Sequence, residues 1–208
     1  MENKEIVREG YNTIASKYLE AREEAVREKR SEDLLLLQDL VQRLPKGAKV
    51  LDAGCGSGVP VTRFLSQSLE VIGVDFSDAQ INLARKLVPE AQFVCQDMTK
   101  LVFSDNSFDA ICSYYAIIHV PRQQHKSLLQ NFYRILKPSG LVLLCMGSGN
   151  LAADIEVYLG TQMYWSHYDS DTNIKMLEEC GFKIVWHKFI DDPLEPSSKH
   201  LFVMAKKH

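Results

Sequence analysis

The pattern of apolar and polar positions divides the chain into a helical beginning and a longer stretch of alternating strands and helices. Near the start, apolar residues return every three to four positions, which predicts one face of a helix. That face is formed by Tyr11, Ile14, Ala15, Tyr18 and Leu19. Residues 20–33 are dense in Glu, Arg and Lys and are interpreted as a solvated helix or connector. A second apolar helix is predicted over 34–44, where Pro45 ends it.

From residue 48 onward, short apolar strands alternate with helices. The predicted strands cover residues 50–51, 70–75, 92–95, 108–114 and 141–146. The helices between them are predicted to begin at residue 61, to run from a cap at Ser77 or Asp78 to residue 87, and to cover 122–136. Strands that alternate with helices form parallel sheets with right-handed crossovers. Because the strands are nearly continuous apolar runs, both faces of the sheet are predicted to be covered.

The alternation is interrupted between residues 147 and 169. This stretch contains an aromatic-rich run at 164–168 and is interpreted as a lid or insertion rather than as part of the sheet. A helix is predicted again over 171–179, followed by two late strands at 182–190 and 200–205.

Composition limits the classes of partner. The 208 residues suit one α/β domain, and a net charge of −3 offers no basic surface, so we expect no nucleic acid partner. No apolar run approaches the length of a membrane span, so we expect no membrane association. The five cysteines are scattered, with no C-x-x-C pair and no Cys/His cluster, so no metal site is predicted. Their odd number and the lack of a signal peptide predict a cytoplasmic location.

The candidate chemistry follows the ends of the predicted strands. In an open α/β sheet, ligands bind beyond the carboxyl ends of the strands. The residues at those ends are 54–58, Asp75 and Phe76, Asp97 and Met98, and 114–119. A carboxylate at Asp75 can accept both hydroxyls of a ribose, and one at Asp97 can accept from an exocyclic amine. This layout predicts a ligand that contains a nucleoside.

The glycine spacing narrows the kind of nucleoside. Three glycines at 54, 56 and 58 let the backbone approach a ligand closely, at what is predicted to be a strand-to-helix turn. A dinucleotide fingerprint, G-x-G-x-x-G, would need its third glycine at Val59 or Val61. The spacing is instead G-x-G-x-G, preceded by Asp52, and it disfavours a nicotinamide-dependent oxidoreductase.

Residues 50–58 resemble the first motif of the class I S-adenosylmethionine-dependent methyltransferases. The later motifs of that family are resembled, in the same order, by residues 73–77, 96–98, 108–111 with 115–119, and 134–140. The resemblance implies a Rossmann-like three-layer α/β sandwich. Its sheet would have seven strands, mostly parallel with an antiparallel last strand, under an N-terminal helical cap. It divides a single domain, 1–208, into the cap (1–46), a cofactor-binding core (47–146), the lid (147–170) and a C-terminal helix with a strand pair (171–208).

The same resemblance implies the cofactor and its contacts. The cofactor would be S-adenosyl-L-methionine, with Asp52 near its amino group, Asp75 on the ribose and Asp97 on the adenine. The residues expected to bind it are Asp52, Gly54, Cys55, Gly56, Gly58, Asp75, Phe76, Asp97, Met98 and Tyr114, with Tyr11 and Tyr18 on the capping helix. Cys55 is expected to be a small neighbour of the glycines rather than a nucleophile.

The predicted function is methyl transfer to a small-molecule acceptor. A sulfonium methyl group is already activated, so the chain must mainly align acceptor, methyl and sulfur. The residues expected to contact the acceptor are Tyr115, His119, Trp165, His167 and Tyr168. His119 is the candidate general base, needed only if the acceptor must lose a proton. It could equally cap a helix or fill the cleft wall, and the aromatic run could be an ordinary connector.

An alternative is a cofactor-binding module without turnover that acts as a regulator or partner, since a fold does not fix function. The sequence leaves the acceptor and the oligomeric state open.

Overall fold

Helices and strands occupy most of the chain. The structure, a computed structural model, describes residues 3–208. Its helices are α1 (Asn3–Arg27), α2 (Asp33–Arg43), α3 (Val61–Leu65), α4 (Asp78–Leu87), α5 (His125–Ile135) and α6 (Ser170–Glu179). Its strands are β1 (Lys49–Ala53), β2 (Glu70–Asp75), β3 (Gln92–Cys95), β4 (Phe108–Ser113), β5 (Leu136–Gly147), β6 (Leu151–Tyr158), β7 (Thr161–His167), β8 (Phe182–Asp191) and β9 (Lys199–Lys207).

Seven of these strands form one sheet, in the order β3-β2-β1-β4-β5-β9-β8. The pairs among β3, β2, β1, β4 and β5 are parallel, whereas β9 is antiparallel to both of its neighbours. Strands that are connected through helices bury both faces, which explains their continuous apolar runs. The predicted fold class, including the antiparallel last strand and the N-terminal helix, is confirmed.

Helices cover the two faces of the sheet. Phe132 of α5 and Leu177 of α6 lie in the core on one face, and Leu37 of α2 and Leu65 of α3 lie in the core on the other. The predicted cap of α4 is Ser77, whose hydroxyl oxygen accepts from the Gln80 N–H at 3.2 Å. Because β1, β2, β3 and β4 are parallel, their carboxyl ends lie at the same edge of the sheet.

The segment 147–169 forms a structure that its sequence does not indicate. β6 and β7 pair as an antiparallel hairpin, closed by Leu159 at φ +50° and Gly160 at φ +95°. A leucine rarely takes this left-handed conformation. The sequence therefore does not mark the turn with the Asn-Gly or Asp-Gly pair that usually forms it. β6 is exposed or half-buried along its whole length, so it also lacks the alternation of a half-buried strand.

The charged stretch 20–33 is only partly solvated, which corrects its interpretation as a solvated helix or connector. α1 continues to Arg27, and Arg22 and Asp33 form a buried ion pair at 2.9 Å. None of the helices within residues 3–208 has the length and apolar character needed to cross a membrane.

Candidate active site

A cleft of about 630 Å³ opens where β1, β2 and β4 end, and we call it the strand-end cleft. Asp75 and Phe76 line it after β2, Asp97 and Met98 line it beyond β3, and α1 covers it. The other lining residues are Lys4, Val7, Tyr11, Tyr18, Gly54, Gly56, Val74, Gln96, Tyr114, Tyr115, Ala116, His119 and Val120. Most of the predicted cofactor-binding residues are therefore brought together here.

The glycines of the loop after β1 have different reasons to be glycine. Gly54 has φ +80°, and an added Cβ would collide with the Cβ of Ala116, so the loop could not approach the segment after β4. Gly58 has φ +75° and would meet Phe93 and Val88, which are part of the packing behind the loop. Gly54 and Gly56 line the strand-end cleft, whereas Gly58 is outside its lining.

Asp75 is held in place by the backbone. Its carboxylate accepts from the Gly56 N–H at 2.9 Å and from the Ser77 N–H at 2.9 Å. Burial raises the pKa of Asp75, and these N–H groups partly offset the increase. The carboxylate thus faces the cleft with a fixed orientation, as recognition of a diol requires.

Asp97 has a cationic neighbour that the sequence did not indicate. The Lys4 ammonium donates to it at 2.9 Å, and the Thr99 N–H donates at 2.8 Å. Burial raises the pKa of Asp97, but the bonds from Lys4 and Thr99 outweigh that effect and the net pKa lies below its usual value. This ion pair connects the beginning of α1 to the segment after β3.

A smaller cavity of about 370 Å³, the glycine pocket, extends the cleft along the loop after β1. Asp52 and Arg22 both line it, so a carboxylate and a guanidinium face the same space. Asp52 accepts from the Thr62 hydroxyl at 2.5 Å, and burial raises its pKa to about 7. Arg22 was missed, although it lies four residues after Tyr18 on the same helical face.

Cys55 also lines the glycine pocket. Burial raises the pKa of its thiol well above the usual value, so it is protonated at neutral pH. The interpretation of Cys55 as a small neighbour of the glycines stays a prediction.

His119 connects the N-terminal helix to the hairpin. Its Nδ1 lies 2.7 Å from the Tyr164 carbonyl oxygen, which can only accept, so Nδ1 carries the proton. The Tyr11 hydroxyl is then the donor to Nε2 at 3.0 Å. Burial lowers the pKa of His119 to about 4, so the ring is neutral and both nitrogens have partners. This geometry gives no support to His119 as a general base.

A third and largest cavity, the hairpin cavity, has a volume of about 1650 Å³. It lies between α1, the hairpin β6–β7 and the connection from the last residue of β8 to the first residue of β9, which we call the loop 191–199. Trp165 and His167 line it, and Tyr11, Tyr18, Tyr115 and His119 line both this cavity and the strand-end cleft. Tyr168 lies outside all three cavities, with the Arg122 guanidinium 4.9 Å from its ring.

Within residues 3–208, no group of three or more His, Cys, Asp or Glu side chains is arranged to hold a metal ion. The side chains that line the three cavities include carboxylates, aromatic rings, histidines and one buried arginine.

Comparison with known proteins matches residues 50–140 to a family model described as a methyltransferase domain. The chain is 33% identical over 151 residues to phosphoethanolamine N-methyltransferase 3 of Arabidopsis thaliana, covering 68% of this chain and 30% of that protein. It is 36% identical over 110 residues to 24-methylenesterol C-methyltransferase 2 of the same plant, covering 50% of this chain and 30% of that protein. The chain thus spans less than a third of the length of these relatives.

Among solved structures, the fold is similar to magnesium protoporphyrin IX methyltransferase from Synechocystis PCC 6803 with bound S-adenosylmethionine. The TM-score is 0.77 at 16% identity, over 100% of this chain and 98% of the other. At this identity the similarity establishes the fold.

Proposed function

We propose a small-molecule methyl transfer for this chain, which belongs to the class I S-adenosylmethionine-dependent methyltransferases, whose cofactor is S-adenosylmethionine. One observation carries the proposal: Tyr11, Tyr18, Tyr115 and His119 line both the strand-end cleft and the hairpin cavity. A ligand in the strand-end cleft and a ligand in the hairpin cavity would therefore lie next to each other where these four side chains line both spaces. We call this place the junction. Direct transfer between two bound molecules requires such a junction.

The charged groups support an assignment of the cofactor's two ends. Phe76 and Met98 offer apolar surface and Asp97 an acceptor, which suit an adenine, while Asp75 suits a ribose. In the glycine pocket, the Asp52 carboxylate and the Arg22 guanidinium complement the ammonium and the carboxylate of an amino acid. Gly54 and Cys55 also line this pocket.

The bound cofactor supplies a methyl group on a positively charged sulfur. The chain's contribution is to orient the two ligands and to exclude water, because no covalent nucleophile is required. Aromatic faces next to the junction stabilise positive charge by about 0.5–2 kcal/mol. Tyr11, Tyr18 and Tyr115 are the faces available there.

We assign His119 a positioning role instead of proton transfer. It donates to the hairpin through Nδ1 and accepts from α1 through Nε2, so it holds two walls of the junction at a fixed separation. A neutral ring with a pKa of about 4 is suited to this task and is a weak base.

The size of the acceptor is limited by the hairpin cavity. Its walls are α1, the hairpin and the loop 191–199, and this partial enclosure favours a small molecule over a folded protein. The named relatives act on phosphoethanolamine and a methylenesterol, which supports the small-molecule class without selecting a member. A cytoplasmic location stays a prediction from the scattered cysteines.

The binding-module alternative has one observation in its favour: both nitrogens of His119 are engaged, so this residue cannot serve an acceptor that must lose a proton. Such a module would bind the cofactor in the strand-end cleft and respond through α1, which covers it.

Thermal unfolding with S-adenosylmethionine and S-adenosylhomocysteine tests cofactor binding. At 1 mM ligand and a Kd near 1 µM, unfolding should become less favourable by about 4 kcal/mol. Release of S-adenosylhomocysteine with a panel of small acceptors then tests turnover. Stabilisation without any release would favour the module, and no stabilisation by either ligand would refute both proposals.

A further inference from the structure

The hairpin cavity carries more negative than positive charge. The four acids that line it are Asp154, Glu156, Asp192 and Glu195. Its two permanent cations are already paired with carboxylates outside the lining: Arg22 with Asp33 at 2.9 Å, and Lys199 with Asp191 at 3.1 Å. A hydrogen bond with Asp154, together with repulsion between the two carboxyl groups, raises the pKa of the exposed Glu156.

Aromatic rings lie beside these acids. The rings of Tyr158 and Trp165 meet edge to face with their centroids 5.7 Å apart, and Tyr11, Tyr18 and Tyr115 line the same cavity. Aromatic faces attract cations and have no comparable attraction for anions. Acids and aromatic faces together complement an organic ammonium ion.

Two buried polar atoms on the cavity wall have no partner among residues 3–208. These are the Tyr115 hydroxyl and Nδ1 of His200, and both residues are more than nine-tenths buried. Buried polar atoms nearly always have a hydrogen-bond partner. Both atoms are enclosed by the wall, so a small movement of the wall would let a polar group of a ligand supply the missing partner.

His200 is oriented by a carboxylate. Its Nε2 lies 2.9 Å from Asp192, which also accepts from the backbone N–H groups of Leu194 at 2.7 Å and Glu195 at 3.1 Å. A carboxylate in this position selects the tautomer that carries its proton on Nε2. The lone pair of Nδ1 is then free, in contrast to both nitrogens of His119.

We propose that the methyl acceptor is a small organic amine, bound in the hairpin cavity as an ammonium ion, and that His200, oriented by Asp192, removes its proton. This inference rests on the proposed methyl transfer. A phosphate-bearing acceptor would meet four carboxylates and two permanent cations, and each of these cations already has a carboxylate partner outside the cavity.

The step balances in atoms and charge. The ammonium group gives a proton to Nδ1 of His200 and becomes a neutral amine with a lone pair. That pair forms the new N–C bond to the methyl carbon while the C–S bond breaks and its electron pair stays on sulfur. The positive charge moves from sulfur to the methylated nitrogen, so the cavity holds a cation before and after transfer.

Cation binding can be measured without turnover. The chain has two tryptophans, and Trp186 is engaged with Asp39, so Trp186→Phe leaves Trp165 as the only indole fluorophore. Choline, which cannot accept a further methyl on nitrogen, should change Trp165 emission saturably. Its neutral carbon isostere, 3,3-dimethylbutan-1-ol, and phosphocholine should each bind at least tenfold more weakly. Equal binding of choline and the isostere would overturn the proposal.

The acids can be tested against a matched charge change. Asp154→Asn with Glu156→Gln should weaken choline binding at least fivefold and raise KM for an amine acceptor with little change in kcat. Glu24→Gln with Glu178→Gln makes the same charge change on exposed surfaces away from the cavity and should have no effect. An equal loss of choline affinity in both double variants would show that only the net charge of the protein matters, which would contradict a cation site in the cavity.

Turnover separates this proposal from methyl transfer itself. Alkylamines should release S-adenosylhomocysteine at least tenfold faster than matched alcohols, thiols and carboxylates. Release of S-adenosylhomocysteine with those other classes but not with amines would overturn the proposal of an amine acceptor and leave the proposed methyl transfer intact. If no class reacts, the choline titration still decides whether the cavity binds cations.

His200→Gln keeps a polar side chain but removes the base. For an alkylamine, kcat should fall about 100-fold, as is typical of a lost general base. For a weakly basic arylamine, which is uncharged at neutral pH, it should fall less than threefold because no proton must be removed first. An equal loss with both acceptors would indicate a merely structural role.

Discussion

The strand-end cleft and the hairpin cavity share four side chains but are built in different ways. In the cleft, Asp75 is the last residue of β2 and Asp97 lies two residues beyond the end of the neighbouring parallel strand β3, so the register of the sheet brings them together. The cavity is enclosed by α1, a two-stranded hairpin and the loop 191–199. α1 and β7 meet through a separate small core that includes Ile14 and Met163.

This difference indicates that recognition of the cofactor and choice of the acceptor are separable. A substitution in the hairpin can reshape the cavity while the sheet, and with it the cleft, stays unchanged. The junction residues are the exception, because His119 is bonded to α1 on one side and to the hairpin on the other. Substitutions confined to one region test how far the two are independent.

The largest effect is expected at Asp75. Asp75→Asn should weaken binding of S-adenosylhomocysteine at least about 100-fold, because hydrogen bonds to a charged group contribute about 1.5–3 kcal/mol each. Binding can be measured by titration calorimetry. Choline binding in the hairpin cavity should not change. Glu70→Gln, at the exposed beginning of the same strand, is the control and should leave both affinities intact. Unaltered cofactor affinity would remove Asp75 from the site.

A smaller loss is expected at the junction. His119→Ala removes the links to Tyr11 and Tyr164, so kcat should fall about 10- to 100-fold while the Kd for S-adenosylhomocysteine changes less than threefold. Steady-state kinetics and calorimetry separate the two readouts. His119→Asn, whose amide can donate to the Tyr164 carbonyl, should recover part of the activity. An equal loss in the Ala and Asn variants would argue for proton transfer by His119 instead.

The pKa of Asp52 predicts a pH effect confined to the cleft. Because this carboxyl has a pKa of about 7, it is mostly protonated at pH 6 and must ionise to bind an ammonium group. Affinity for S-adenosylhomocysteine should therefore rise about 15-fold between pH 5.5 and 7 and level off only above about pH 8. Asp52→Asn should abolish this rise. A persisting rise would assign the titration to another group.

The two regions also differ in how far their sequence predicts them. Apolar runs that stop at or shortly before Asp75 and Asp97 predicted the strands and their parallel arrangement. They also predicted the cluster of side chains at the strand ends, because residues at the carboxyl ends of parallel strands meet at one edge of the sheet. The hairpin has no such signal: β6 lacks alternation, and its turn contains Leu159 at positive φ. Packing of the hairpin on α1 stabilises a structure that its own sequence does not predict.

Long-range pairing explains the missed residues. His200 and Asp192 lie in stretches that read as an ordinary strand and a polar link, and only the antiparallel pairing of β8 with β9 brings them to the cavity. Arg22 is buried together with its ion-pair partner Asp33, which lies beyond the end of α1. Charge density alone predicts solvation for such a residue, since the partner that allows its burial is specified by the fold.

The smallest effect is expected where α1 begins to cover the cleft. Lys4 pairs with Asp97, and both side chains are about one-fifth to one-quarter exposed, at 24% and 21%, so the pair contributes about 1 kcal/mol or less. Lys4→Met should therefore weaken binding of S-adenosylhomocysteine only about two- to fivefold, by loosening the helix over the adenine region. Arg8→Met, which removes only the exposed pairs with Glu5 and Glu9, should have no effect on this affinity. Tighter binding in Lys4→Met would show that the lysine competes with the adenine for Asp97, and closure by α1 would then not depend on this ion pair.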